Sequence, residues 1–158
     1  MKKIRLYLDT SVISALDDPK KPERMKETYL FWEEVKAGKY EIVLSSVVAD
    51  EINKCKQPKR DNMFTIVNTI GHKNILVNET IREIAEEIIK LKILKKKHRD
   101  DCLHIGSAIF GECDCIVSWN FRHLVNYKTI RGVRVVTGIL NYKNIDILSP
   151  TMMISKEK

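Results

Sequence analysis

Short apolar runs recur along the chain and predict the strands of a buried sheet. The clearest are residues 4–8, 40–45 and 115–118, and a shorter run covers 74–77. A valine-rich run at 134–137 predicts the last strand. Strands that are apolar at nearly every position are buried on both faces, which is typical of parallel sheets.

Between these runs, apolar residues recur at spacings of three and four, which predicts amphipathic helices. One such stripe extends over residues 25–35 and a second over 63–70. A third helix follows Asn78, a favourable N-terminal cap, and its expected apolar face is Ile81, Ile84, Ala85, Ile88, Leu91 and Leu94. Strands alternating with helices predict a three-layer α/β/α domain with a central, mainly parallel sheet. We expect one domain over 1–158, with its core at about 4–137 and a C-terminal extension at 138–158.

Polar side chains stand at the sheet edge where parallel sheets bind ligands, outside the carboxyl ends of the strands. Asp9 directly follows the first predicted strand, and Asn120 follows the strand at 115–118. Glu51 lies near the start of the helix that leaves the second strand, and Asp101 lies in the first turn of the helix before 115–118. Carboxylate and amide oxygens suit Mg²⁺ or Mn²⁺. The sequence therefore predicts a metal site at this edge.

Four blocks at these positions resemble the conserved blocks of PIN-domain ribonucleases, above all the toxins of bacterial and archaeal toxin–antitoxin pairs. The blocks are LYLDTSVIS, VVADEI, DDCLHIGSA and CIVSWNFRHL. They occur in the family's order, and the resemblance covers about residues 4–137. It implies a PIN-like fold, Mg²⁺- or Mn²⁺-dependent cleavage of RNA, a cognate antitoxin and a homodimer.

The resemblance assigns Asp9, Glu51 and Asp101 as catalytic acids and metal ligands. Asn120 takes the fourth ligand position, at which many relatives have an acid. An amide oxygen still binds a hard cation but brings no negative charge, so a second, weaker ion is affected more than the first. Thr10, Ser11 and Ser118 are expected to orient water or the metal ligands without binding the ion themselves.

Each of these acids also has a purely structural interpretation. Asp9 can cap the helix that begins after it, and Glu51 can be a solvated helix residue. Asp100 and Asp101 can complement the dipole of the helix that they open, and we keep Asp100 in that role. His104 is expected to pack or to form hydrogen bonds at the helix surface rather than to bind metal.

The charge of the chain favours a polyanionic partner. Lys and Arg number 28 against 21 Asp and Glu, which gives a net charge of +7 and a pI near 9.2. Basic residues gain affinity for RNA by releasing counterions from phosphates, although a well-solvated basic protein would have the same composition. Cations at the C-terminus of a helix can also be structural. The residues expected to contact RNA are Lys95, Lys96, Lys97, Arg99 and Arg122.

Targeting features are lacking in the sequence. Lys2 and Lys3 precede only a short apolar run, which is too short for a signal-peptide core, and no stretch approaches the length of a membrane span. We therefore expect a cytoplasmic protein with no membrane partner, in which the four cysteines stay reduced. Trp119 and Phe121 follow a buried strand and are expected in the core.

Three rival functions are compatible with parts of the pattern. A zinc module would use some of Cys102, His104, Cys113, Cys115 and His123, but paired CxxC motifs are absent. An aspartyl phosphatase would also place an Asp after the first strand, but it normally has a second acid two residues later, where this chain has Ser11. A PIN-like domain that binds RNA or a partner without cleavage is the serious rival, and Asn120 is its only support.

Overall fold

The computed structural model describes residues 2–154 and contains a five-stranded sheet with helices on both faces. The strands are β1 Arg5–Leu8, β2 Glu41–Ser45, β3 Lys73–Ile75, β4 Cys115–Val117 and β5 Asp146–Leu148. The helices are α1 Thr10–Ala15, α2 Pro22–Lys36, α3 Ser46–Asn53, α4 Lys59–Asn68, α5 Glu79–Lys90, α6 Arg99–Phe110, α7 Tyr127–Leu140 and α8 Pro150–Met153, with a 3₁₀ turn at Lys96–His98. Across the described residues, no helix is long and apolar enough to cross a bilayer.

The sheet is parallel throughout, with strand order β3-β2-β1-β4-β5. β1 is the middle strand, and its Leu6 pairs with Ile42 of β2 on one side and with Cys115 of β4 on the other. The chain leaves β1 at Asp9, so this acid lies at the centre of the carboxyl edge. The predicted three-layer α/β/α architecture with a parallel central sheet is confirmed.

Two hydrophobic cores fill the space between the sheet and its helices. Because successive side chains of a strand point to opposite faces, Leu6 and Leu8 pack with α1–α4, whereas Tyr7 packs with α5–α7. All three side chains are fully buried. The central strand is therefore held from both sides, which fixes the position of Asp9 at its end.

Side-chain caps fix the starts of the helices that lead away from the sheet. The Ser45 hydroxyl accepts a hydrogen bond from the N–H of Val47 at 3.2 Å, which starts α3 directly after β2. The Asn78 side chain accepts one from the N–H of Ile81 at 2.9 Å and starts α5, as the sequence predicted. Caps of this kind are worth about 0.5–2 kcal/mol.

The predicted strand at 134–137 is wrong, because these residues lie inside α7. The Asn126 side chain accepts a hydrogen bond from the N–H of Thr129 at 2.9 Å and caps this helix. The buried residues of α7 recur at helical spacing and are Thr129, Gly132, Val133, Val136 and Thr137. The edge strand beside β4 is instead β5, within the region assigned to a C-terminal extension.

The single domain over 1–158 stays a prediction, and 155–158 fall outside the described residues.

The zinc module considered from the sequence does not form among these residues. Cys113 packs in the core between the sheet and α5–α7, whereas Cys115 packs in the core on the opposite face. Two thiols in separate cores cannot share one ion. All four cysteines, including the half-buried Cys55, are free thiols.

Candidate active site

A pocket of about 490 Å³ opens at the carboxyl edge of the sheet. All four predicted metal ligands line it, although they come from four separate segments of the chain: Asp9, Glu51, Asp101 and Asn120. Thr10 and Ser11, which were expected to orient water or the metal ligands, line it as well. The topology produces this meeting, because β1, β2 and β4 are neighbours and end at the same edge.

Asp9 is buried at the base of this pocket and is only 4% exposed. Its Oδ2 accepts hydrogen bonds from the hydroxyls of Ser11 at 2.6 Å and Ser118 at 2.8 Å. Ser11 in turn accepts a hydrogen bond from the N–H of Trp119 at 2.9 Å, so the hydroxyls tie β1 to the end of β4. Asp9 stands at the N-cap position of α1, but its carboxylate makes no capping hydrogen bond. The cap interpretation is therefore wrong, and the carboxylate is held by side chains instead.

Glu51 and His104 form a buried pair beside Asp9. His104 Nε2 lies 2.5 Å from Glu51 Oε1 and 3.3 Å from Asp9 Oδ1. Glu51 Oε1 also accepts a hydrogen bond from the Thr10 hydroxyl at 2.7 Å. On the far side of the ring, His104 Nδ1 lies 2.6 Å from the hydroxyl oxygen of Tyr7. His104 is fully buried, so its expected place at the helix surface is wrong.

Glu51 and His104 shift each other's pKa in the direction that favours the charged form. Burial lowers the pKa of His104, but the charges of Asp9, Glu51 and Asp101 and the hydrogen bond to Glu51 outweigh burial and raise it overall. Burial raises the pKa of Glu51, but the hydrogen bond and charge of His104, with help from Thr10, lower it overall. The two shifts favour an imidazolium facing carboxylates. His104 is thus a built-in counter-charge for the acids.

Asp101 also lines the pocket and lies beside a pair of imidazoles, those of His123 and His98. Its Oδ2 is 2.9 Å from Nδ1 of His123, and the rings of His123 and His98 stack with centroids 3.8 Å apart. Burial, followed by the charge of Asp9, raises the pKa of Asp101. The neighbouring Asp100 is exposed and lies 3.8 Å from the ammonium of Lys54, away from the pocket.

Asn120 has a structural task at the pocket rim. Its Oδ1 accepts a hydrogen bond from the N–H of His123 at 3.0 Å, and its carbonyl accepts from Leu124 and Val125 at 2.9 Å. Its own N–H donates to the Ser118 hydroxyl at 2.9 Å. These bonds are those of a turn residue that closes on its own backbone. Metal ligation by the remaining lone pair of Oδ1 stays a prediction.

Of the two aromatic residues after β4, one is buried and one is exposed. Trp119 is buried, and its Nε1–H donates to the Thr28 hydroxyl at 2.8 Å. Its ring carries the guanidinium of Arg24 at 4.9 Å, and both residues line the pocket. Phe121 is 49% exposed, so its expected core position is wrong.

The predicted RNA-binding residues lie on the surface beside Asp101. Lys96 and Lys97 belong to the 3₁₀ turn that leads directly into α6. Arg99 is the first residue of α6 and pairs with Glu86. Lys95, Lys96 and Lys97 are exposed, and so is Arg122 in the loop after β4. The basic run thus precedes the start of α6 and does not lie at the C-terminus of an α-helix, which was its structural interpretation.

The residues around the pocket fit a divalent cation. Carboxylate oxygens of Asp9 and Glu51 lie within 4.8 Å of each other and of a His104 nitrogen. Burial and then the charge of Asp9 raise the pKa of Asp101, and a cation would relieve the repulsion between these two acids. The donor set, rich in oxygen, matches Mg²⁺ or Mn²⁺. Because its pKa is raised, His104 serves as a counter-charge more readily than as a ligand.

Sequence reasoning missed His104 and Tyr7, which organise the acids, and the stacked pair His98 and His123. One pattern pointed to the first of them: Asp101 and His104 are three residues apart and must share a face of α6. The partner Tyr7 gave no such indication, because an apolar strand residue reads as core. Its buried hydroxyl bonds both His104 and Ser45, and the latter distance is 2.7 Å.

Comparison with known proteins supports the fold. No protein-family model matches the chain, and no curated protein matches it. A solved structure with a similar fold is that of VapBC2 from Rickettsia felis, bound to a DNA fragment from their promoter. The superposition has a TM-score of 0.57 at 16% sequence identity and covers 92% of this chain and 98% of that chain. This likeness supports the α/β fold.

Proposed function

We propose that this protein is a PIN-type endoribonuclease that needs Mg²⁺ or Mn²⁺ and acts in the cytoplasm as the toxin of a toxin–antitoxin pair. The observation that carries the proposal is that Asp9, Glu51 and Asp101 line one pocket, in which ligand oxygens of Asp9 and Glu51 lie within 4.8 Å of each other. Their order along the chain matches the acids of the four resembling blocks. The similarity to a chain of a VapBC complex supports the toxin assignment at the level of the fold.

The acids would hold the cation, with Asp9 as the central ligand. When bound, such an ion lowers the pKa of a coordinated water and neutralises charge on the leaving oxygen of the phosphodiester. Ser11 and Ser118 fix the carboxylate of Asp9, and Thr10 fixes that of Glu51. These hydrogen bonds set the acids in place before substrate arrives, so little reorganisation is needed.

The substrate is assigned from charge. The exposed residues Lys95, Lys96, Lys97 and Arg122 lie beside Asp101 and would contact the RNA backbone. Arg24 also lines the pocket, on the face of Trp119, and it forms no ion pair with an acid of residues 2–154, so it can meet a phosphate there. Contacts of this kind bind the phosphates and position the RNA strand for cleavage.

A protein partner is supported by the exposed apolar side chains of α7. Tyr127 is 74% exposed, Ile139 58% and Val135 47%, and they border one shallow depression of about 720 Å³. The resemblance implies an antitoxin and a homodimer. Light scattering of the protein alone, and with the product of any short neighbouring gene, separates the two partners.

The test is cleavage of single-stranded RNA by purified protein with Mg²⁺ or Mn²⁺, compared with the same reaction in EDTA. Asp9→Asn should abolish cleavage, because it removes the charge of the central ligand. Asp114→Asn is the matched control: this exposed acid lies at the opposite edge of the sheet, bonded to Arg5 and Lys143. Equal activity in Asp9→Asn and the unaltered protein would refute the proposal.

The alternative function is RNA or partner binding without cleavage. It is supported by Asn120, whose amide adds no charge and already serves the turn after β4. Under this alternative the protein would bind RNA equally well with and without metal, and no preparation would cleave it. Binding measured by fluorescence anisotropy beside the cleavage assay distinguishes the two functions.

A further inference from the structure

We propose that His98, Asp101 and His123 form a second metal site, distinct from the oxygen-rich centre, that binds Zn²⁺ and inhibits the nuclease. Each of the three offers one ligand atom, and these atoms all lie within 4.8 Å of one another. Binding at this site stands on geometry alone. The inhibitory part rests on the function proposed above, because it uses the shared carboxylate of Asp101.

The three ligand atoms lie close to the spacing that an ion requires. Ligand atoms around tetrahedral zinc lie about 3.3 Å apart, given bond lengths of about 2.0–2.1 Å. His123 Nδ1 and Asp101 Oδ2 are already 2.9 Å apart, and the stacked ring of His98 lies beside them. His98 and Asp101 are three residues apart, which brings them to one side of the start of α6.

The ligand chemistry selects a borderline-soft metal over Mg²⁺. Two imidazole nitrogens and one carboxylate are a common protein ligand set for Zn²⁺, with water completing the tetrahedron. Mg²⁺ strongly prefers oxygen and gives up its waters reluctantly. The side chains of His123 and Asp101 are 21% and 16% exposed, so the group is reachable from solvent.

The basic residues around this site should make its affinity for zinc depend on the salt concentration. Burial is the largest cause that lowers the pKa of His98, and the charges of His123, Lys97, Lys95 and Arg122 lower it further. The same cations oppose an approaching dication, so this site should bind zinc more tightly as salt screens them.

The consequence is competition for one carboxylate. Asp101 cannot serve the oxygen-rich centre fully while it binds zinc together with His123. Zinc would therefore inactivate the enzyme by withdrawing an acid, without occupying the position of Mg²⁺. The basic residues that are expected to bind RNA lie directly beside this zinc site.

The experiment is calorimetric titration of ZnCl₂ into EDTA-treated, dialysed full-length protein in a buffer that does not bind metal. His98→Gln and His123→Gln should each weaken binding by more than about 100-fold, since even outer partners of a ligand are worth roughly 10–100-fold. His72→Gln is the matched control, because within the described part of the chain the His72 side chain bonds only the carbonyl of Ile70. Co²⁺ in place of zinc should give visible bands without the absorption of a thiolate ligand.

The outcomes separate this proposal from the nuclease function. Zinc binding that survives both His variants and disappears in Glu51→Gln would place the ion at Asp9, Glu51 and His104 and would overturn the proposal, as would no binding at all. Thermal melts check that each variant folds, and either of the two His variants suffices for the decision. In Mg²⁺-dependent RNA cleavage, zinc should inhibit the unaltered protein and His72→Gln but not His98→Gln, with each rate taken relative to the same variant without zinc. If no preparation cleaves RNA, the proposed function fails while calorimetry still decides the site.

Discussion

Replacing His104 by glutamine should reveal that the acids of the pocket depend on an internal positive charge. The imidazole is fully buried and contacts Glu51 at 2.5 Å, Asp9 at 3.3 Å and the Tyr7 hydroxyl at 2.6 Å. Glutamine keeps a donor for Glu51 but removes the charge and the bond to Tyr7. Two carboxylates then lose their counter-charge inside the fold.

The size of the effect follows from this environment. Breaking a buried ion pair costs about 3–5 kcal/mol, but the side chain of Glu51 is 28% exposed, so water compensates part of the loss. We expect the metal-free protein to lose about 3 kcal/mol of unfolding free energy. For a domain of this size that is a decrease in melting temperature of about 6–12 °C.

Metal should reverse part of this loss. A divalent cation among the same carboxylates replaces the missing charge, and it no longer meets an imidazolium nearby. We therefore expect His104→Gln to bind Mg²⁺ about tenfold more tightly, which recovers about 1.4 kcal/mol. Urea unfolding in EDTA and in Mg²⁺ measures both quantities, with His72→Gln as the control.

The dependence of this loss on pH has a definite sign. The pKa of His104 is raised from 6.5, so its contribution is complete below about pH 6.5 and disappears as the pH rises through the folded pKa. The pKa of Glu51 is lowered from 4.5, so its contribution is complete above about pH 4.5 and disappears as the pH falls through the folded pKa. The deficit of His104→Gln should be greatest between these values. A deficit below about 1 kcal/mol there, or one equal in EDTA and Mg²⁺, would refute the counter-charge argument.

Three further predictions concern other parts of the site. Asn120→Asp should lower the Mg²⁺ concentration needed for cleavage and Asn120→Leu should raise it, whereas a turn residue alone would give lower melting temperatures and unchanged metal titrations. Replacing Lys96 and Lys97 by alanine should flatten the dependence of log affinity for single-stranded RNA on log salt by about 0.7 per lost phosphate contact; Lys2→Ala with Lys3→Ala, on the opposite edge of the sheet, should leave it unchanged. Burial raises the pKa of three thiols to about 12, so at pH 8 native protein should react with a thiol reagent at the half-buried Cys55, and additional early reaction would refute the burial argument. The three protected thiols are Cys102, Cys113 and Cys115.

The sequence predicted the elements whose residues are buried or capped by local rules. The strands that surround Asp9 are apolar on both faces, and Asn78 caps α5 as its position indicated. The run at 134–137 misled because β-branched residues favour strands, whereas the cap at Asn126 and packing at helical spacing decide for α7. At Gly132 a side chain would lie 2.6 Å from Ile93, so this position needs glycine for close packing of a helix and not for a turn.

The candidate site was predictable where polar residues follow strands and unpredictable where buried partners complete it. Asp9, Glu51 and Asp101 could be proposed from their positions alone. The burial of His104 depends on Tyr7, which comes from a strand 97 residues away. Contacts across such distances in sequence leave no local pattern, and they decide whether a histidine lies on the surface or at the centre of a charged cluster.

The hydrogen bonds that hold Asp9 also determine when a newly made chain could become active. Ser118 is 109 residues from Asp9 along the chain, and Thr10 reaches Glu51 over 41 residues. Loops of this length close late, since their entropy must be offset by contacts elsewhere. A ribosome-bound fragment that ends before β4 has the first acid but nothing from Ser118 to orient it. The nuclease function proposed here would therefore appear only with the finished fold, which gives a cell time to supply a protective partner before the protein can damage RNA.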